Sequence, residues 1–128
     1  MKLLDTVVLV GSINPNDKLH YKARNYLSTV VSDEQTFIPA PILIEFELEL
    51  KSHGFTENER ITVFEDLAPL VPKNKVLAQS VTSMSQALSL YQSGMSYFDS
   101  LIASMAKESN ATVLTTDKAI AKVVKTVW

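Results

Sequence analysis

The 128-residue chain contains no cysteine. Disulfides and thiolate zinc sites are thereby excluded. No apolar run approaches the roughly 20 residues that span a bilayer, so no membrane segment is expected. The opening Met1-Lys2-Leu3-Leu4-Asp5 meets a charge too early to read as a secretory signal. A cytoplasmic location is the expectation compatible with these absences. An excess of positive charge is missing as well, since 12 Lys and Arg stand against 14 Asp and Glu. Proteins that hold nucleic acid mainly through its backbone charge are usually basic, so sequence-independent coating of DNA or RNA is disfavoured. No Gly-x-x-x-x-Gly-Lys loop is present, which removes support for a phosphate-loop ATPase. The two histidines, His20 and His53, stand far in sequence from the acidic residues below. They are expected on the surface or in helix packing, not as ligands.

What is present alternates short β-rich runs with amphipathic helices, the pattern of a parallel α/β sheet. Residues 2–9 read as a buried central strand, broken by turn chemistry at Gly11-Ser12-Ile13-Asn14-Pro15-Asn16. A helix is predicted from about Asp17, and a second strand at Thr36-Phe37-Ile38. Pro41 is placed for the first turn of a helix that runs to about Ser52 and ends at Gly54. Thr56-x-x-Glu59 is a capping-box pattern that opens the next helix. Leu70-Val71 reads as a brief strand. Over 74–92, Leu77, Val81, Met84, Leu88 and Tyr91 recur at spacings of four and three, a face for the core or for a second copy of the chain. A helix over Tyr97–Ser109, a strand at 111–115, a short helix near 118–122 and a last strand at 123–128 complete a single domain, 1–128. The sheet should hold about four or five strands flanked by helices.

Four acids stand beside apolar runs where a carboxylate is expensive: Asp5, Glu45, Asp99 and Asp117. Each has an ordinary explanation when taken alone. Asp5 reads as a strand-end residue capping a turn. Glu45 shares its helix with Glu47 and Glu49, and helical geometry does not choose among the three. Ser96-x-x-Asp99 fits a helix start, and Asp117 fits the N-cap of the helix after it. Two of them nevertheless fall just after predicted parallel strands, and Asp99 falls in the first turn of a helix. All belong near one edge of such a sheet, where open parallel sheets bind ligands. Two unit charges about 4 Å apart repel by roughly 4 kcal/mol at an effective dielectric near 20. A divalent cation removes that penalty, and the combination points to a metal-dependent enzyme that cuts phosphodiesters.

The order and surroundings of these acids resemble the PIN-domain ribonuclease family, which includes VapC-type toxins. Leu3-Leu4-Asp5-Thr6 resembles the family's opening strand and first acid. Asn14-Pro15-Asn16-Asp17, with His20-x-x-Ala23, resembles the stretch that follows it. Ile38-Pro39-Ala40-Pro41-Ile42-Leu43-Ile44-Glu45 resembles the lead into the family's glutamate, and this register selects Glu45. Tyr97-x-Asp99-Ser100-Leu101-Ile102-Ala103-x-x-Ala106 resembles the third acid on its helix, and Val113-Leu114-Thr115-Thr116-Asp117 the strand that carries the fourth. Two departures stand out. Val7 occupies a position where many relatives have Asn, and Lys118-Ala119-Ile120 replaces an aromatic residue after the fourth acid.

The resemblance implies a single PIN-like domain and Mg²⁺- or Mn²⁺-dependent hydrolysis of RNA. It assigns catalysis and metal binding to Asp5, Glu45, Asp99 and Asp117, and it implies a homodimer and a small antitoxin partner. Oxygen-only ligands suit Mg²⁺ or Mn²⁺. Asp5, Asp99 and Asp117 are the expected ligands, directly or through water, with Glu45 holding a second ion or orienting the attacking water. Thr6, Thr115 and Thr116 are candidates to hydrogen-bond a carboxylate or phosphate. Lys73, Lys75, Lys118 and Lys122 are candidates to meet an RNA backbone. The rival readings are a non-catalytic PIN-like scaffold that binds RNA or protein, and an aspartyl-phosphate phosphatase. The phosphatase would want a second Asp two residues after Asp5, where Val7 stands.

Overall fold

The computed structural model describes residues 1–128. The chain runs β1 (Lys2–Leu4), α1 (Thr6–Ile13), α2 (His20–Ser32), β2 (Thr36–Pro39), α3 (Ala40–Ser52) and α4 (Glu57–Leu67). Two single 3₁₀ turns, Ala68–Leu70 and Lys73–Lys75, then lead into β3 (Val76–Leu77). The chain closes with α5 (Val81–Gln92), α6 (Tyr97–Ser109), β4 (Thr112–Leu114), α7 (Lys118–Ala121) and β5 (Thr126–Val127). The strands form one sheet in the order β3-β2-β1-β4-β5. Every pairing is parallel, with Leu3 opposite Phe37 on one side and Val113 on the other. The chain builds outward from β1 through β2 to β3, then returns to lay β4 and β5 on the other side. The reversal falls between β1 and β4, the switch point at which such sheets leave a crevice outside their carboxyl ends.

The apolar run at 2–9 is divided between two elements, not given to one strand. β1 ends at Leu4, and α1 starts at once because Asp5 caps it, its Oδ1 accepting the Thr6 N–H at 2.8 Å. A continuous apolar run fits a buried helix as well as a buried strand, and periodicity does not separate them. Gly11 is therefore helical and not part of a turn. Its hydrogen faces α2 so closely that a Cβ there would sit 2.9 Å from the Ala23 Cβ. The next helix begins at His20, three residues after Asp17.

Leu70-Val71 forms no strand; Leu70 ends a 3₁₀ turn, and the edge strand is Val76–Leu77. The helix expected over 74–92 begins only at Val81, where Ser80 caps it and accepts the Ser83 N–H at 3.0 Å. Leu77 thus leaves the apolar stripe for the sheet. What remains of the stripe does not enter the core: Val81 is 90 % exposed, and Leu88 and Tyr91 are also exposed. Small residues, Ser83 and Ala87, make the buried face of α5. The capping box at Thr56 and Glu59 forms as expected, with bonds of 2.9 and 3.2 Å. The core is built from Leu3, Leu4, Ile38 and Val113 of the strands with Phe46, Ile102 and Ile120 of the helices, all essentially inaccessible.

Candidate active site

Four elements bring acids to the carboxyl edge of the sheet. Asp5 follows β1 directly. Asp99 stands in the first turn of α6, and Asp117 follows β4 as the N-cap of α7. Glu45 lies on α3, the helix that leaves β2. A hollow of about 270 Å³ is lined by Asp5, Glu45, Asp99 and Asp117, together with Thr6, Val7, Val10 and Glu49. All four sequence-selected acids therefore share one concavity, at the switch point between β1 and β4. Larger grooves exist, including one of about 440 Å³ between α1, α2 and α4. The convergent ionisable groups lie in the smaller hollow.

The hydroxyls around the hollow are placed to hold these carboxylates. Thr115 donates to Asp5 Oδ2 at 2.5 Å and accepts the Asp117 N–H at 3.0 Å, so one buried side chain ties two of the acids together. Thr6 donates to Glu45 Oε1, joining α1 to α3. Asp117 keeps its capping duty, with Oδ1 accepting the N–H groups of Ala119 and Ile120 at 2.7 and 3.0 Å. Asp99 differs. Ser96 makes no side-chain cap bond, so the expected box at this helix start does not form. The helix dipole still favours a carboxylate there.

Burial pushes the Asp5 carboxyl above its ordinary range, the Thr115 and Thr6 bonds oppose this, and repulsion from Asp99 and Asp117 adds to it. Glu45 is likewise raised by burial, against the Thr6 bond, with Asp5, Asp99 and Glu49 repelling. Asp99 is raised by burial, offset by Ser96 and reinforced by Asp117. Mutual repulsion among separate elements is what a bound cation relieves.

No group of three acidic or histidine side chains is set for direct chelation of a single ion. The donor set nonetheless fits a hydrated hard cation. Mg²⁺ keeps several waters and is bound through one or two carboxylates. At roughly 30 Å³ per water the hollow has room for such a shell. The structure also separates the three glutamates of α3. Glu47 is ion-paired with Arg60 at 2.9 Å, while Glu45 and Glu49 line the hollow. Sequence reasoning did not select Glu49, and its position one helical turn beyond Glu45 was the available signal. His20 is buried, with Nδ1 2.9 Å from the Gly11 carbonyl oxygen, and His53 is exposed. Lys75 is committed to Asp33 O at 2.8 Å and to the Phe37 ring.

Comparison with known proteins agrees with this architecture. The sequence profile described as PIN domain matches residues 2–125. The chain is similar in fold to the structure titled FitAcB from Neisseria gonorrhoeae, at 18 % identity and a TM-score of 0.75, covering 100 % of this chain and 97 % of that one. It is similar to VapBC2 from Rickettsia felis bound to a promoter DNA fragment, at 20 % identity and a TM-score of 0.71, covering 99 % and 98 %. It is also similar to Mycobacterium tuberculosis VapC20, titled a Sarcin-Ricin loop cleaving toxin, at 13 % identity and a TM-score of 0.71, covering 95 % and 94 %. None of the curated protein sequences compared with the chain matches it.

Proposed function

The chain belongs to the PIN domain family, and from that premise we propose that it is a Mg²⁺- or Mn²⁺-dependent endoribonuclease acting as the toxin of a toxin–antitoxin pair. The observation that carries this reading is the meeting of Asp5, Glu45, Asp99 and Asp117 in one hollow from four separate elements. Asp5, Asp99 and Asp117 hold the cation, directly or through water. Bound there, the cation supplies Lewis acidity toward the phosphate and lowers the pKa of a neighbouring water. Glu45, raised by burial and oriented by Thr6, takes the proton of the attacking water; a base with a raised pKa performs this better near neutral pH. Thr115 keeps Asp5 and the start of α7 in register.

The toxin role is supported by the similarity to FitAcB and VapBC2, and a structure titled a toxin–antitoxin complex from Klebsiella pneumoniae is also similar in fold. A small antitoxin is the partner this reading calls for. A second copy of the chain is the partner for the exposed face of α5, where Val81, Leu88 and Tyr91 stand clear of the core. No helix is long and apolar enough to cross a membrane; a cytoplasmic location goes with the toxin reading. One observation favours a non-catalytic scaffold instead, namely that no three acids are gathered into a direct chelate.

The deciding experiment is cleavage of an end-labelled mixed RNA pool with Mg²⁺, Mn²⁺ or EDTA, using the native chain and Asp5→Asn. Asn caps helices about as well as Asp, so the variant keeps α1. Cutting that needs metal and disappears in the variant is the expected outcome. Calorimetry that detects no Mn²⁺ binding, alongside intact RNA in every lane, would leave the scaffold reading standing.

A further inference from the structure

The cleft between α1 and α3 does not end at the acidic hollow. A second hollow of about 330 Å³ adjoins it, and Val10 and Glu49 line both. That volume is at the lower end of those that hold small ligands. Its apolar floor is made by Val10, Leu50 and Phe55, and its rim by Asn14, Asp17, Glu49 and His53. The rim is chemically mixed, unlike the acidic hollow. Asn14 Oδ1 accepts the Asn16 N–H at 3.1 Å, which leaves its amide N–H₂ as a pair of free donors. Asp17 Oδ1 accepts the Leu19 N–H at 2.8 Å, leaving Oδ2 as a free acceptor. His53 Nδ1 lies 2.8 Å from the Glu49 carbonyl oxygen. A carbonyl only accepts, so Nδ1 is the donor and Nε2 is left without a proton in the neutral ring.

We propose that this second hollow receives one base of the RNA substrate, a guanine adjacent to the cleaved bond; the inference rests on the ribonuclease reading of the first hollow. Unpaired RNA bases are recognised by stacking on aromatic side chains and by hydrogen bonds to their Watson–Crick and Hoogsteen edges. Phe55 is the aromatic side chain that lines this hollow. Guanine presents two neighbouring donors, N1–H and N2–H₂, beside the O6 acceptor. The carboxylates of Asp17 and Glu49 accept from the first two, and the Asn14 amide donates to the third. Uracil has a single donor, N3–H, and satisfies one carboxylate at most, leaving the other unpaired against the base. Spacing agrees. Glu45, Glu49 and His53 succeed one another along α3 at about 6 Å per four residues, the scale of one step along an extended strand. A base at Glu49 is therefore the neighbour of a phosphate at Glu45.

The test is titration of the ¹⁵N-labelled full chain with the uncharged nucleosides guanosine, inosine or uridine in EDTA, followed through backbone amide resonances, so that no phosphate is set against the metal-free acids. Guanosine is expected to shift the amides of Asn14, Asp17 and His53. Inosine, which lacks only the N2 amino group, should bind more weakly by on the order of tenfold, and uridine should leave these amides in place. Asp17→Asn and Glu49→Gln should each weaken guanosine by a similar factor, with spectra otherwise unchanged as proof of folding. Absence of any shift, shifts confined to other residues, equal response to inosine or uridine, or indifference to both substitutions overturns the proposal. The experiment contains no metal and no bond to cut. A failure of the ribonuclease reading shows in the RNA-pool assay instead, so the two are separable.

Discussion

Asp5 is asked to cap a helix and to carry charge in a nearly closed environment, and the second demand sets its pH behaviour. Asp5, Glu45 and Asp99 all have folded-state values raised above the ordinary carboxylate range. An acid raised by folding binds its proton more tightly in the native state. Its stabilising contribution is full below the unfolded value, about pH 4, and is lost as pH rises through the raised value. The metal-free protein should therefore lose melting temperature across that window. Asp99→Asn removes one of the repelling charges, so its melting curve is expected above the native one near neutral pH and to converge with it in acid, while RNA cleavage is lost. A variant that melts lower at every pH and still cuts would assign Asp99 to structure alone. Thr115→Val tests the support beneath Asp5. It deprives a buried carboxylate of its 2.5 Å partner and should cost about 1–3 kcal/mol in urea unfolding. At this scale the sequence was informative where an acid interrupted an apolar run, as at Asp5 and Asp99. It was silent on Glu49, because three glutamates on one helix look alike until Arg60 removes Glu47 from the set. It was equally unable to separate Thr115 from Thr116, since the choice depends on which of the two turns toward Asp5.

Helix α1 is one of the elements that sequence patterning misassigned, and the reason is physical. In Thr6-Val7-Val8-Leu9-Val10 every residue but Leu9 is β-branched and every residue but Thr6 is apolar, so neither a period of two nor one of 3.6 stands out. The Asp5 cap and the packing of α2 decide the matter. By contrast α3 and α4 were legible, because Pro41, Gly54 and the Thr56–Glu59 box mark their ends with local chemistry. The packing of α1 on α2 yields its own test. Gly11→Ala adds helix propensity worth about 1 kcal/mol, but it drives a Cβ to 2.9 Å from that of Ala23. Overpacking between two helices costs about 1–3 kcal/mol, and the His20 bond to the Gly11 carbonyl fixes the same contact. A net loss of about 1 kcal/mol is expected in chemical denaturation. Adding Ala23→Gly to the first substitution should recover part of it, through a coupling that distant sites do not show. Gly11→Ala with unchanged or higher stability would mean that the two helices slide apart freely.

On the scale of the molecule, charge and apolar surface are distributed unevenly. Five of the 14 acidic residues, Asp5, Glu45, Glu49, Asp99 and Asp117, line the hollow, and the remaining acids are outnumbered by the 12 Lys and Arg. The modest negative total therefore conceals a mildly basic remainder, nine Asp and Glu against 12 Lys and Arg outside the hollow. The apolar stripe on α5 was misleading. Spacings of three and four mark a buried face without saying what buries it, and the core takes Ser83 and Ala87 in place of the larger side chains. Val81, Leu88 and Tyr91 are left exposed, with Tyr97 edge-on to Tyr91 at 5.7 Å. Contiguous apolar surface of this kind marks an interaction site more often than scattered exposed residues do. A two-fold pairing places the same patch on both copies, so one charge introduced at its centre acts twice. Leu88→Glu should convert a dimer into a monomer in sedimentation velocity, with the circular dichroism spectrum and the melting temperature of the monomer retained. Tyr21→Glu, a change at an exposed side chain of α2, should leave the dimer intact. A native chain that sediments as a monomer throughout its soluble range, or a Leu88→Glu protein that still pairs, removes this face from the assembly and leaves its apolar side chains to another partner.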